Sequence, residues 1–296
     1  IPGATPNLIS VNWNDEGIAL LQLIQTNLAG CSDTVSITVT INATPVLVIN
    51  DPAAVCQPLT VDLTDPAVTA GSTLNGATLS YWEDIAATIP LANPNAVAIS
   101  GTYYIQAGTA AGCSDIQPVV VVINPTPALV INDPAAVCQP LTVDLTDPAV
   151  TAGSTLNGAT LSYWEDALAT IPLANPNAVA ISGTYYIQAE TAAGCSDIQP
   201  VIVVVNPTPT PSIAGVDVVC ENETQVYSVT NNPGNTYLWV VVGGTIASGQ
   251  GTNQIVVTWT TPPAGSVQVT ETAGSCSDSD TLTVTINAVP TTSPIS

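Results

Sequence analysis

In Pro58–Pro66, PLTVDLTDP, the residues Leu59, Val61 and Leu63 alternate with Thr60, Asp62 and Thr64. A period of two puts one set on a buried face and the other in water, as an antiparallel sheet packed on one side requires. The runs PVLVIN, VCQPLTVDLT, TLSYWED, GTYYIQA and QPVVVVIN have the same character. Turn residues separate them at roughly 8 to 12 residue intervals, the signal of a sandwich or barrel. No window carries the i, i+3, i+4 apolar spacing of a helix. Unbroken apolar stretches such as Val119–Ile123 are strand-sized, far short of the roughly 18 residues that would suggest a membrane span. The fold class expected is all-β, built from sandwiches.

The pattern repeats. Residues 45–126 recur as 127–208 with six differences: Val46/Ala128, Ile85/Ala167, Ala86/Leu168, Gly108/Glu190, Val120/Ile202 and Ile123/Val205. A repeated unit of that length is the size of a small domain. The flanks keep the same ruler, for Trp13 and Trp259 stand three such periods apart, and GCSDTVSITVTINATP at 30–45 matches SCSDSDTLTVTINAVP at 275–290. The organisation read from this is a C-terminal half-domain at 1–43, full repeats at 44–125 and 126–207, a further domain at 208–289 and a linker at 290–296. With no methionine in the chain, it is expected to be an internal piece of a longer secreted polypeptide. The joints INATP, INPTP and VNPTPTP carry prolines that fix φ and extend the preceding residue, so the array is expected to form a rod.

Composition narrows the chemistry. The chain has 22 acidic residues and no Lys, Arg or His, giving a net charge of −22. Without imidazole there is no ordinary general base near neutral pH and no Ser-His or Cys-His nucleophile pair. The charge repels nucleic acid and anionic membrane surfaces, so neither nucleic acid nor direct membrane insertion is expected. The reading is a non-enzyme without a resident cofactor.

Seven cysteines fall at 31, 56, 113, 138, 195, 220 and 276. From Cys56 onward the intervals are 57, 25, 57, 25 and 56, and each long interval lies inside one repeat. Three intradomain disulfides are therefore expected, Cys56 with Cys113, Cys138 with Cys195 and Cys220 with Cys276, each worth roughly 4 kcal/mol by chain entropy. Cys31 is left unpaired, its partner expected upstream of Ile1. Disulfides place the chain in an oxidising, extracellular compartment.

The run VCENETQVYSV, followed by YLWVVVGGTIASGQGTNQIVVTW and GSCSDSDTLTVTIN, resembles the PKD-like domain of Bacteroidetes surface proteins. The two repeated units, with VCQPLTVDLTDPAV, LSYWED, SGTYYIQA and AGCSDIQPVVVVIN, resemble the Ig-like repeats found beside it. The resemblance implies a tandem Ig-like and PKD-like array from a large adhesin of gliding, surface-colonising bacteria, exported by type 9 secretion. It implies a stalk or filament segment at the cell surface, whose partners are neighbouring domains of the same chain, with surface polysaccharide or other copies as further candidates. The alternatives are a carbohydrate-binding array and a non-catalytic appendage of an extracellular hydrolase.

Single residues are weighed on this frame. Trp82, Trp164 and Trp239 are expected in sandwich cores, and Tyr103 and Tyr185 suit a tyrosine-corner bond. Tyr104 and Tyr186 alternate to the opposite face and are the candidates for exposed contact. Glu83 and Asp84 are adjacent on a strand, point to opposite faces and cannot flank one glycosidic bond. Asp51, Asp65, Glu83, Asp133 and Asp217, near the joints, are the candidate Ca²⁺ ligands. Thr34 and Thr281 lie in Asp-Thr-aliphatic triplets that resemble the O-glycosylation acceptor of Bacteroidetes, whereas the repeats carry Asp115-Ile116 and Asp197-Ile198 there.

Overall fold

The computed structural model describes residues 9–290, so most of the 290–296 linker lies outside the described residues. Of these, the residues up to Thr126 together with Thr191–Cys195 form one compact unit. Pro127–Glu190 and the described residues from Ser196 form the other. Every regular element among the described residues is a strand or turn.

The first unit opens with an antiparallel hairpin, β1 (Gly17–Thr26) and β2 (Ser32–Ile41), paired over ten positions. Leu20, Leu23, Ile24, Val35 and Ile37 on this hairpin are exposed. The first full repeat follows with β3 (Val55–Cys56), β4 (Thr78–Trp82), β5 (Gly101–Gly108), β6 (Ser114–Val121) and β7 (Ile123–Asn124). Strands β4, β5 and β6 form an antiparallel sheet in that order, and β3 pairs in parallel with β7. Alternation places Ile105 and Ala107 of β5 and Val119 and Val121 of β6 on one face, where they meet Leu47, Val61, Leu63, Val68 and Val97 from the facing layer. That layer is held mostly by turns and single bridges such as Val61↔Val97. Val61 and Leu63 are buried as the alternation demands, but Leu59 is exposed, because the Leu59 amide turns back to the Cys56 carbonyl and the alternation starts only after it.

In the second unit the repeat is rebuilt with β8 (Val137–Cys138), β9 (Thr160–Trp164), β10 (Gly183–Glu190), β11 (Ser196–Val203) and β12 (Val205–Asn206), and a core equivalent residue for residue. A fuller sandwich comes last. Strands β13 (Val218–Cys220), β15 (Thr236–Val242), β18 (Ala264–Ala273) and β19 (Cys276–Asn287) form one sheet, ordered β13-β19-β18-β15. Strands β14 (Thr224–Ser228), β16 (Gly244–Ser248) and β17 (Gln254–Trp259) form the other. Between them lie Trp239, Trp259, Tyr227 and the aliphatic residues of β17, β18 and β19. Gly265 permits this packing, since a Cβ there would stand 2.4 Å from the Val242 carbonyl oxygen and 2.5 Å from the Trp259 ring.

One hydrogen bond recurs in all three sandwiches. The backbone N–H of Leu47, Leu129 and Ile213, at the start of each, donates to the carboxylate of Asp115, Asp197 and Asp280, at 2.7, 2.7 and 2.8 Å. Each Asp lies just beyond a hairpin turn, so the chain's entrance to a sandwich is pinned beside the tip of its last hairpin.

Candidate functional site

The cysteines form the most regular constellation in the chain, and their pairing overturns the intradomain expectation. Cys56 is bonded to Cys195 across 139 residues, and Cys138 to Cys276 across 138. Cys31, Cys113 and Cys220 are free. Strand geometry gives the reason. Cys220 is the register partner of Asn287, at the far end of the strand that Cys276 begins. Eleven residues of strand at ~3.3 Å each separate those ends by about 36 Å, whereas a disulfide needs Cα atoms within about 7 Å. The repeats obey the same rule, with Cys56 in register with Asn124 and Cys138 with Asn206, while Cys113 and Cys195 precede the strands leading there. The two cysteines of one repeat sit at opposite ends of it. The bonds run instead from the end strand of one repeat to the hairpin of the next.

Both half-sites are built by local backbone bonding. On the strand side, the residue after the cysteine donates to the asparagine carbonyl, Gln57 to Asn124 at 2.9 Å and Gln139 to Asn206 at 2.9 Å. On the hairpin side, the Cys195 N–H donates to the Thr191 hydroxyl at 3.1 Å and the Thr191 N–H to the Cys195 carbonyl at 2.9 Å. Gly194, at φ +81°, takes the left-handed turn that glycine adopts without penalty. Cys195 and Cys276 are each 1% exposed, so the bonded hairpin sulfurs are shielded.

The aromatic candidates divide. Trp239 is in the core, 2% exposed, its indole N–H donating to the Thr252 carbonyl at 2.8 Å. Trp82 and Trp164 are not in the core. Leu79 and Tyr81 take the inward positions of β4, so Ser80 and Trp82 face outward, the indole N–H of Trp82 on the Ser80 hydroxyl at 2.9 Å. Trp164 does the same with Ser162. Trp82 is the cross-strand partner of Tyr104, and Trp164 of Tyr186, so an outward aromatic pair recurs in each repeat. Tyr104 and Tyr186 are half-buried by these neighbours rather than fully exposed. Tyr103 and Tyr185 make the expected corner bond, each hydroxyl donating at 3.0 Å to the carbonyl four residues before it, Ile99 and Ile181.

Four of the acidic candidates accept backbone hydrogen bonds. Asp51 and Asp133 accept from the Val120 and Ile202 amides, Asp65 from Ala67, and the Asp217 carbonyl accepts from Thr285. Glu83 is exposed. Among the described residues no three Cys, Asp or Glu side chains gather as a metal site. Thr34 and Thr281 are exposed, each with its amide bonded to the preceding Asp.

Asp84 and Asp166 organise matching loops. Asp84 accepts from the Thr88 and Ile89 amides at 2.9 and 2.7 Å and from the Thr88 hydroxyl at 2.8 Å. Burial pushes its carboxyl up, but these hydrogen bonds outweigh it and hold the pKa below the usual range. At Asp166 the Ile171 amide is the largest influence, and the pKa is again lowered. A carboxyl whose folded pKa is depressed adds stability above its unfolded value of about 3.9 and loses it as pH falls through the lower folded value. The Thr88, Ile89, Thr170 and Ile171 amides should therefore stay protected from hydrogen exchange at pH 5 and lose protection only below the ordinary carboxylate range. Loss of protection between pH 6 and 5 would contradict this.

Residues 206–286 match the model of the PKD-like domain. No curated protein matches the chain. Among solved structures the chain is similar to the I-band fragment I67–I69 from titin, at 13% identity and TM-score 0.45, over 84% of this chain and 99% of that one. It is similar to Drosophila OTK extracellular domains 3–5, at 13% identity and TM-score 0.37, over 84% and 99%. The N-terminal eight Ig domains of DSCAM isoform 1.30.30 align at 13% identity and TM-score 0.40, over 95% of this chain and 41% of that one. At these scores the likenesses carry no functional weight. The chain is an all-β protein of tandem sandwiches with a PKD-like domain at 206–286.

Proposed function

We propose that the chain is a structural stalk segment of a secreted cell-surface adhesin, holding adhesive elements away from the envelope. The observation that carries this reading is the cysteine pairing, in which each bond ties one repeat to the hairpin of the next rather than stapling a repeat to itself. A domain that only needed stability would gain from an internal staple. A tether gains from covalent continuity between domains. The oxidising compartment that preserves such bonds agrees with an extracellular place, and the absence of basic residues with a non-catalytic one.

A second reading rests on the Trp82–Tyr104 and Trp164–Tyr186 pairs, since outward aromatics are amphipathic contact surfaces. A glycan array probed with the whole chain separates the two. A stalk segment leaves the array blank. Binding that disappears in Tyr104→Ala/Tyr186→Ala, with the strands of both repeats still formed, would replace the stalk reading with a carbohydrate-binding one.

A further inference from the structure

We propose that Cys220 is a covalent docking site for the hairpin-tip cysteine of a further β-sandwich, a third joint of the kind already closed at Cys56 and Cys138. The inference rests on the two closed joints and holds whether or not the chain serves as a stalk.

Cys220 is built as its two bonded counterparts are. It ends a short Val-Cys strand paired in parallel with the end of the last strand, in register with Asn287, as Cys56 is with Asn124 and Cys138 with Asn206. The following residue again donates to that asparagine, Glu221 to Asn287 at 2.8 Å. The same return bond follows, with the Glu223 amide on the Cys220 carbonyl as the Leu59 and Leu141 amides are on Cys56 and Cys138, although the turn here passes through Asn222 at φ +68° in place of Pro58 and Pro140. The thiol is free and exposed. Two of three half-sites with this strand pairing hold a hairpin cysteine, and the third presents its sulfur to solvent.

The complementary half is also present unbonded. Cys31 closes the β1–β2 turn with the Asn27 N–H on its carbonyl and the Gly30 N–H on the Asn27 carbonyl, both at 3.0 Å. Cys113 closes the β5–β6 turn through Thr109 and Gly112 in the same way, as bonded Cys195 does through Thr191 and Gly194. The Cys113 sulfur lies 3.9 Å from the Asn42 carbonyl oxygen. Asn42 holds, one period earlier, the position of Asn124, the register partner of Cys56, so Cys113 faces the place where a Val-Cys strand would lie. A chain with an open strand half-site at Cys220 and open hairpin half-sites at Cys31 and Cys113 is complementary to itself, and such a heterologous contact links copy to copy, into a ring or an open series.

Closing the joint oxidises two thiols and needs a small-molecule disulfide as oxidant. The Cys220 thiolate attacks it, forming a mixed disulfide and expelling one small thiolate. The hairpin thiolate then attacks the Cys220 sulfur and expels the second. Two protons and two electrons leave the protein, and one small disulfide becomes two thiols.

The test incubates the purified full chain in a glutathione redox buffer, followed by non-reducing electrophoresis and peptide mapping with a protease that cuts at acidic residues. The expected result is a ladder in multiples of 30.0 kDa whose linking peptides join Cys220 to Cys31 or Cys113. Cys220→Ser, and separately Cys31→Ser/Cys113→Ser, should abolish the ladder while Cys56–Cys195 and Cys138–Cys276 remain. Symmetric Cys220–Cys220 dimers, or chains that stay monomeric with Cys220 capped by glutathione, would overturn the proposal.

Discussion

Pulled from its two ends in a single-molecule force experiment, the chain with both disulfides formed should reach a contour length far short of its residue count, and a thiol reductant should release the difference at one stroke. Without the bonds, the only path from Cys56 to Cys276 is the whole intervening backbone. With them the covalent route is much shorter, and shortest across from Cys56 to Cys195, back along the backbone to Cys138 and across to Cys276. That route crosses 57 residues of backbone where the unbonded path crosses 220, so reduction should free about 163 residues of slack, on the order of 550 Å at ~3.4 Å per extended residue. The two longer routes, from Cys56 along to Cys138 and from Cys195 along to Cys276, run in parallel with it, so neither can be drawn taut while both bonds hold. Intradomain bridges would give a different record, with reduction lengthening each repeat separately by the span between its own two cysteines. Equal contour lengths with and without reductant would dismiss the joints altogether.

Trp239→Ala should destabilise the 206–286 domain by about 3 to 5 kcal/mol, a large share of the roughly 5 to 15 kcal/mol that holds a domain folded. The ring is buried between the sheets, and its removal also leaves the Thr252 carbonyl without its donor. Trp82→Ala should cost only about 1 kcal/mol, because that ring lies half-buried on the outer face and its indole bond goes to a neighbouring Ser hydroxyl. Hydrogen exchange followed by mass spectrometry reads both effects locally. Protection of β17 and β18 should collapse in the first variant, while β4–β6 stays largely protected in the second. Comparable losses would mean that Trp82 is a core residue after all.

Much of this architecture is legible in the chain. Alternation in PLTVDLTDP places Val61 and Leu63 inside, and the Gly-Thr-Tyr-Tyr run places Tyr103 at its corner. Trp82 escapes the same rule because Tyr81 and Trp82 are adjacent and only one can face inward. The choice falls to the strand's register with β5, where Leu79 and Ala107 are paired on the inner face. The cysteine pairing escapes for a stronger reason. When the cysteines recur at one fixed period, bonds within repeats and bonds between consecutive repeats produce the same comb of intervals, and the two differ only in which end of a strand each sulfur occupies. The signal that distinguishes them is the step from Cys113 to Asn124, eleven residues of nearly continuous strand, readable only once Val55-Cys56 is known to lie beside Ile123-Asn124.

The overlap of the two disulfide-closed loops bears on survival under proteolysis. A nick between residues 57 and 137 leaves the halves joined through Cys56–Cys195, and one between 196 and 275 leaves them joined through Cys138–Cys276. A cut between 139 and 194 is bridged by both. From Cys56 to Cys276 no single backbone scission can part the molecule, so separation within that span takes a second hit, and its survival curve under digestion should show a lag where an unbridged chain shows simple decay.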